Sequence, residues 1–517
     1  MSLITGTDPR TGRPLPFQVS PSTTADVAEV CETAHGAGAR FAGLPRDRRA
    51  ALLDAIAEGV EAERAQLVAT ASAETGFGQV KLDSELVRAA FQFRFFADVV
   101  REGGFLEAAI DHASSTPMGP RPDLRRMLVP IGPVAVFGSS NFPFAFSVLG
   151  GDTASALAGG NAVVVKAHDS HPHTSLLSHA ILQERLGEHA PSFGIVFGHH
   201  AGVDLVANPR IRAVGFTGSL DGGRALLKVI DGRDEPIPFY GELSSLNPVF
   251  VTPDAAATRA QEIGEAYAAS MTVGSGQLCT KPGLVAVPKG ADGDALVAVT
   301  AGALARHETH VLLNHGIYAS YQAMTDELES TRGVRTLVKG TSDGSRGYGV
   351  GTRLFEVDVA DLSDAHAHEI FGPASVVVRY EPRALPEAFS AVLDAVPANL
   401  TVTLQVAEGD AAPLGPLTRI ASGYAGRIIF NGFPTGVAVS WAQTHGGPWP
   451  STNSLHTSVG ATAIRRFLRP VTFQDCPADY LPAELIDDAD VIPRRIDGEL
   501  TLPRSVSRDR RAATARC

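Results

Sequence analysis

The sequence predicts an α/β protein with two parallel sheets, each flanked by helices. Three observations predict it. Short β-branched runs alternate with helical stretches from Val129 onward, and the alternation resumes with new strands after about residue 250. At 517 residues the chain is also too long for one compact core, because ~150 residues is the usual scale of a domain. Repeated β-α units imply right-handed crossovers and strands buried on both faces.

The elements follow in order. DRRAALLDAIAEGVEAERAQLVATASAETG (47–76) has helical apolar spacing, and Gly76 is a plausible stop. SSTPMGPRPDLRRM (114–127) is rich in proline and arginine and has no apolar period, so it reads as an arm covered by something other than the first core. PVAVFG (133–138), the small-residue helix SVLGGDTASALAGG (147–160) and NAVVVKAH (161–168) form a β-α-β unit. A helix through TSLLSHAILQERL, a strand at FGIVFG (193–198), a short helix, a strand at AVGFTG (213–218), a helix from Ser219 and a strand near PIPFYGEL (236–243) continue it. GLVAV, SVVVRY, TVTLQV and GRIIFN supply a second α/β domain between about 250 and 470.

Composition excludes several classes. With 44% hydrophobic and 19% charged residues the chain reads as a soluble globular protein. A formal charge of 44 − 56 = −12 removes the electrostatic drive for nucleic-acid binding. No stretch approaches the ~18 apolar residues of a membrane span, and MSLITGTDPRTGRPLP lacks the apolar centre of a secretion signal, so the cytoplasm is the expected location. Cysteines at 31, 279, 476 and 517 form neither a disulfide framework nor a Cys-x-x-Cys pattern. The last residues, RSVSRDRRAATARC, read as a solvated basic tail.

Cys279 lies in TVGSGQLCTKPG, where three glycines permit close backbone approach around a single thiol. A lone cysteine is more often an inert core residue. Its context favours a nucleophile. Glu242, at the end of an apolar strand, is expected to be half-buried with a raised pKa, which suits a general base, although a structural carboxylate is the plain alternative. Asn141 in GSSNFPFAF can donate to an oxyanion, or simply cap a turn. The G-x-G-x-x-G fingerprint is missing after the strands; Lys166, and Gly218 with Ser219 at a helix start, could face a phosphate instead. The histidines of HPH (171–173), GHH (198–200) and HAHE (366–369) lack metal-ligand spacing, and no metal is expected.

SNFPF, AVVVKAH, GFTGS, GELSSLNPVF, GQLCTKPG, EIFGPAS and NGFPTGV, in that order, resemble the aldehyde dehydrogenase superfamily over about residues 130–470. KAH, NPVFV and HGGPWPSTNSLHTSVG look like the branch holding α-ketoglutaric semialdehyde dehydrogenases and an NADP-dependent fatty aldehyde dehydrogenase. The resemblance implies a Rossmann-like cofactor domain (1–105 and 128–247), a catalytic domain (248–470), a bridging oligomerisation segment (106–127 and 471–505) and the basic tail (506–517). It implies that Cys279 attacks an aldehyde and carries a thioester, that Asn141 holds the oxyanion, and that Glu242 activates water. Lys166, His168, Asp169, Gly218, Ser219, Leu243, Glu369 and Phe371 match cofactor-binding positions. The branch leans to NADP, whereas Asp169, three residues after Lys166, would repel a 2′-phosphate and leaves NAD open. The expected substrate is α-ketoglutaric semialdehyde, with a medium or long-chain aldehyde next. Transfer to coenzyme A and a non-catalytic relative are the remaining readings. A homodimer or homotetramer is the expected assembly.

Overall fold

A computed structural model describes residues 2–342, 346–408, 410–489 and 491–503. The expected basic tail, with Cys517, lies outside the described residues. Four helices, Thr24–Ala42, Arg46–Ala62, Arg64–Thr75 and Gln79–Glu102, build the N-terminal layer. Thr23 and Asp26 cap the first reciprocally. The continuous run expected over 47–76 is two helices, because the chain leaves helical geometry at Glu63 (φ −92°, ψ 13°). It stops at Gly76 in the left-handed conformation that glycine tolerates (φ 70°).

The predicted strands between Val134 and Glu242 form one parallel sheet, in the order Phe239–Glu242, Ala213–Thr217, Val134–Phe137, Val163–Lys166, Phe193–Val196. Their apolar side chains are buried on both faces, as in Val134–Phe137, whose four residues are all buried. Phe137 pairs with Lys166 and Phe216, and Thr217 with Glu242, so these residues end the sheet on one side. Loops leaving that carboxyl edge are where an open α/β sheet binds ligands.

The second sheet has seven strands, in the order Arg335–Lys339, Arg353–Asp358, Ala374–Tyr380, Leu284–Pro288, Val249–Val251, Asn399–Gln405, Ala425–Phe430. All neighbours are parallel except the edge pair 335–339 with 353–358. Those two strands had no clear apolar run in the sequence, because each is only partly covered.

A third sheet orders Leu468–Gln474, Leu124–Pro130, Ala109–Asp111, Arg494–Ile496 and Glu499–Thr501. It contains the end of the proline- and arginine-rich arm, Leu124–Met127, whereas Ser114–Thr116 and Gly119–Arg121 pair as a separate hairpin. Met127 and Ile110 are buried in the same apolar cluster as the N-terminal helices, together with Phe467, Leu485 and Ile492. The arm's end at Met127 thus helps close the first core, while its hairpin at 114–121 stands apart from it as expected. The third sheet's strands also run across the expected limits at 127/128 and 470/471. Among the described residues no helix is long and apolar enough to cross a membrane.

Candidate active site

The loop after Val134–Phe137 carries Asn141, and one face of the Gln79–Glu102 helix holds that loop. Glu85 accepts from the backbone N–H groups of Phe144 (2.8 Å) and Ala145 (3.0 Å). Lys81 Nζ bridges Glu85 (2.6 Å) and the Asn141 carbonyl (2.8 Å), and Gln92 Nε2 donates to the Ala145 carbonyl (3.2 Å). Helical spacing places these residues on one side.

Cys279 sits beyond the Pro253–Thr272 helix, after a turn in which Gly274, Ser275 and Gly276 all have positive φ. A Cβ on Gly276 would lie 2.3 Å from the Gly372 carbonyl oxygen, so this position requires glycine. Asn247 Nδ2 donates to the carbonyls of Cys279 (2.8 Å) and Lys281 (3.0 Å). Asn399 Oδ1 in turn accepts from the N–H groups of Leu246 (2.8 Å) and Asn247 (3.0 Å). Asn141 Nδ2 donates to the Gln277 carbonyl (2.8 Å), which brings the amide beside the thiol's loop.

Glu242, Cys279 and His445 converge. Glu242 Oε1 lies 2.7 Å from His445 Nε2, which is 3.6 Å from Cys279 Sγ, and Ser458 Oγ donates to Glu242 Oε2 at 2.6 Å. The glutamate and histidine are almost fully buried. The raised pKa expected for Glu242 is not what results. Burial pushes its carboxyl up, but the His445 imidazole, the Ser458 hydroxyl and the thiol together outweigh burial and hold it below the ordinary range. Cys279 is pushed well up by burial and by the negative charges of Glu242 and Glu369, against the opposing charge of Arg88. The thiol is therefore protonated at rest and needs a base. The three donor atoms lie within 4.8 Å of one another, a sulfur, nitrogen and oxygen set that could also grip a thiophilic cation. Among the described residues the HPH, GHH and HAHE histidines build no such group.

These residues open on a cavity of about 500 Å³ whose wall also includes His168, Gly218, Ser219, Leu243, Glu369 and Phe371. Ser219 caps the Leu220–Asp231 helix by accepting from Gly222 N–H (3.2 Å) and Ser244 Oγ accepts from Leu220 N–H (3.4 Å), so the helix's positive end lies at the cavity wall. A Cβ on Gly218 would meet the Phe216 ring at 2.6 Å. His168 Nδ1 accepts from Ser170 N–H (3.1 Å); burial first, with the neighbouring Lys166 charge, holds its imidazole well below the usual range. Glu369 accepts from Ser245 N–H (3.3 Å), and burial raises its carboxyl although Lys281 opposes this. Lys281 is itself drawn down by burial and donates to the carbonyls of Ile370 (2.7 Å) and Ala374 (2.8 Å), fixing the strand entry next to Glu369. Lys166 and Asp169 are not in that wall; they pair with each other at 3.0 Å. The helix end and the carboxylate fit a dinucleotide's phosphate and ribose hydroxyls.

Reading the sequence missed His445, Ser458, Lys281 and Arg88. HGGPWPSTNSLHTSVG contains the first two, but a histidine separated from its glutamate by about two hundred residues gives no local signal.

The chain matches the aldehyde dehydrogenase family over residues 3–392. It is 44% identical over 504 residues to α-ketoglutaric semialdehyde dehydrogenase 2 of Azospirillum brasilense, covering 95% of each chain. It is 39% identical over 499 residues to the α-ketoglutaric semialdehyde dehydrogenase of Acinetobacter baylyi, covering 95% of this chain and 94% of that one. Its fold is similar to that of aldehyde dehydrogenase 21 from Physcomitrella patens, with a TM-score of 0.79 at 18% identity over 93% of this chain and 96% of that one.

Proposed function

The chain belongs to the aldehyde dehydrogenase family, and from that premise we propose that it oxidises α-ketoglutaric semialdehyde to 2-oxoglutarate with NADP or NAD. The observation that carries the substrate is the 44% and 39% identity, over nearly the whole chain, to two enzymes named for it.

The site's own residues supply the chemistry. Glu242, ionised because His445 and Ser458 hold it so, takes the thiol proton of Cys279 as sulfur bonds to the aldehyde carbon. The resulting oxyanion lies within reach of the Asn141 amide, whose second N–H remains available. A nicotinamide dinucleotide held by Gly218, Ser219, Glu369 and Phe371 in the cavity would supply the acceptor for the hydride. Cys279 then carries a thioester; Glu242, having released its proton to solvent, takes one from a water whose oxygen bonds to the thioester carbon. The carbon–sulfur bond breaks, Glu242 returns that proton to sulfur, and the acid leaves as carboxylate with its own proton lost to solvent. A buried carboxylate placed to take a proton from water supports hydrolysis of the thioester over its transfer to coenzyme A.

Cofactor contacts are assigned to His168, Gly218, Ser219, Leu243, Glu369 and Phe371 in the cavity, with Lys166 and Asp169 at its margin. A 2′-phosphate would have to take Lys166 from Asp169, which supports use of NAD alongside NADP. Residues 1–105 and 128–247 would form the cofactor half, 248–470 the catalytic half, and the third sheet an oligomerisation surface for a cytoplasmic homodimer or homotetramer.

Initial rates with α-ketoglutaric semialdehyde, succinic semialdehyde, hexanal and decanal, each with NAD and NADP, test this reading. The highest kcat/KM is expected for the first. Preference for decanal would make it a fatty aldehyde enzyme.

A further inference from the structure

We propose that Arg88 receives the carboxylate of the substrate and thereby selects 2-oxo-acid semialdehydes over uncharged aldehydes of the same length. The proposal rests on the substrate reading above. Arg88 lies on the helix face that holds the Asn141 loop, between Glu85 and Gln92. Glu85, three residues earlier and the natural partner for its charge, is already occupied by Phe144, Ala145 and Lys81. Arg88 itself uses one nitrogen: Nη1 donates to the Val437 carbonyl. Nε and Nη2 are buried and without a partner.

Those two atoms form one edge of the guanidinium, the edge that matches a carboxylate with two parallel hydrogen bonds. Leaving charged donors buried and unpaired is costly, which a ligand completing the edge would relieve. The position suits that ligand. The guanidinium carbon is 5.5 Å from the centre of the Phe146 ring, which lines the cavity with Cys279 and lies 6.4 Å from the His445 ring. Cys279 senses the Arg88 charge. From the other side Arg427 donates to the carbonyls of Pro434 (2.5 Å) and Gly436 (3.0 Å), so the 434–437 loop is held between two guanidiniums and Arg88 keeps its place without that edge. Both nitrogens are shielded from solvent and Arg88 stands just behind the cavity wall, so binding of the carboxylate includes a rearrangement of the wall around Phe146.

The test compares wild type, Arg88→Gln and Arg88→Lys with α-ketoglutaric semialdehyde and with pentanal, and measures product inhibition by 2-oxoglutarate. In Arg88→Gln the ratio of the two kcat/KM values should fall ~10²-fold, and the inhibition constant should rise in parallel, as loss of a paired charge-assisted contact requires. Arg88→Lys keeps the charge without the paired edge and should also lose most of the ratio; it carries the test if the glutamine variant does not fold. An unchanged ratio in both variants overturns the assignment while leaving the substrate reading intact. A wild type that prefers pentanal overturns the substrate reading itself.

Discussion

Glu242 and His445 meet through a single pair of atoms, Oε1 and Nε2, 2.7 Å apart inside the protein, and the same nitrogen is the histidine's contact with the thiol. One ring nitrogen cannot donate a proton to the carboxylate and accept one from sulfur at once. With Nε2–H committed to Glu242, the carboxylate is the group left to receive the thiol proton. The histidine then acts by holding Glu242 ionised and oriented.

Glu242→Gln keeps a hydrogen-bonding side chain of the same shape but no base. Stopped-flow absorbance of the reduced cofactor should still show product formed once per site, although more slowly, followed by a steady state reduced by ~10²-fold or more. Steady-state turnover equal to wild type at every pH would remove Glu242 from the hydrolytic step.

The sign of the Glu242 shift gives a pH prediction. Its pKa is lowered, so the base form persists at neutral pH and activity is lost as pH falls through that low value. In His445→Asn the largest opposing influence on burial is gone. The acid limb of the kcat profile should therefore move to higher pH. Alkylation of wild-type Cys279 by iodoacetamide should still be rising above pH 9, because its thiol is raised.

If Lys166 and Asp169 meet the cofactor as proposed, Asp169→Ala should raise the NADP to NAD ratio of kcat/KM by ~10-fold, by freeing Lys166 from its 3.0 Å partner and removing that partner's negative charge. The mirrored assay with NAD checks the sign: NAD efficiency should fall or stay level.

Gly276→Ala places a methyl 2.3 Å from the Gly372 carbonyl oxygen at φ 69°. A loss of ~1–3 kcal/mol in chemical denaturation is expected from the strained backbone alone. Activity should fall further, because the turn sets the position of Cys279. A fully active, equally stable alanine variant would contradict this.

His112 lies 2.6 Å from Asp497 and 3.2 Å from Asp487, tying the third sheet together. Its pKa is raised, first by the hydrogen bond to Asp497 and then by that to Asp487. The stabilisation is present in full below the unfolded value of ~6.5 and is lost as pH rises through the higher folded value. The group is exposed, so the effect is small and salt-sensitive. Proteolysis near residues 487–497 should quicken across that window in wild type and be flat with pH in His112→Ala.

The strands of the first sheet were legible because they are mostly buried and apolar, with polar residues such as Lys166, Thr217 and Glu242 only at their carboxyl ends. The glycines around Cys279 were legible for a related reason: close backbone approach leaves few residue choices. What could not be read locally was set by distant partners. Glu242 sits at an apolar strand end and invites a raised pKa, yet His445 and Ser458 come from a loop some two hundred residues away and reverse the sign. Arg335–Lys339 and Arg353–Asp358 were missed because partial exposure mixes charge into them. Met127 was taken for part of a detached arm because its neighbours are charged, although its own side chain enters the first core.

Asn399 fastens Leu246 and Asn247 to the seven-stranded sheet, and Asn247 fastens the Cys279 loop to the same point. Just upstream, Glu242 still belongs to the five-stranded sheet, paired beside Thr217. Any rocking of one sheet against the other has to be absorbed along this crossing by Leu243 and Ser244, both of which line the cavity. A dinucleotide would therefore rest on the hinge itself. Filling the cavity should stiffen the whole molecule, slowing amide exchange at these two residues while leaving the nucleophile's own mooring unchanged.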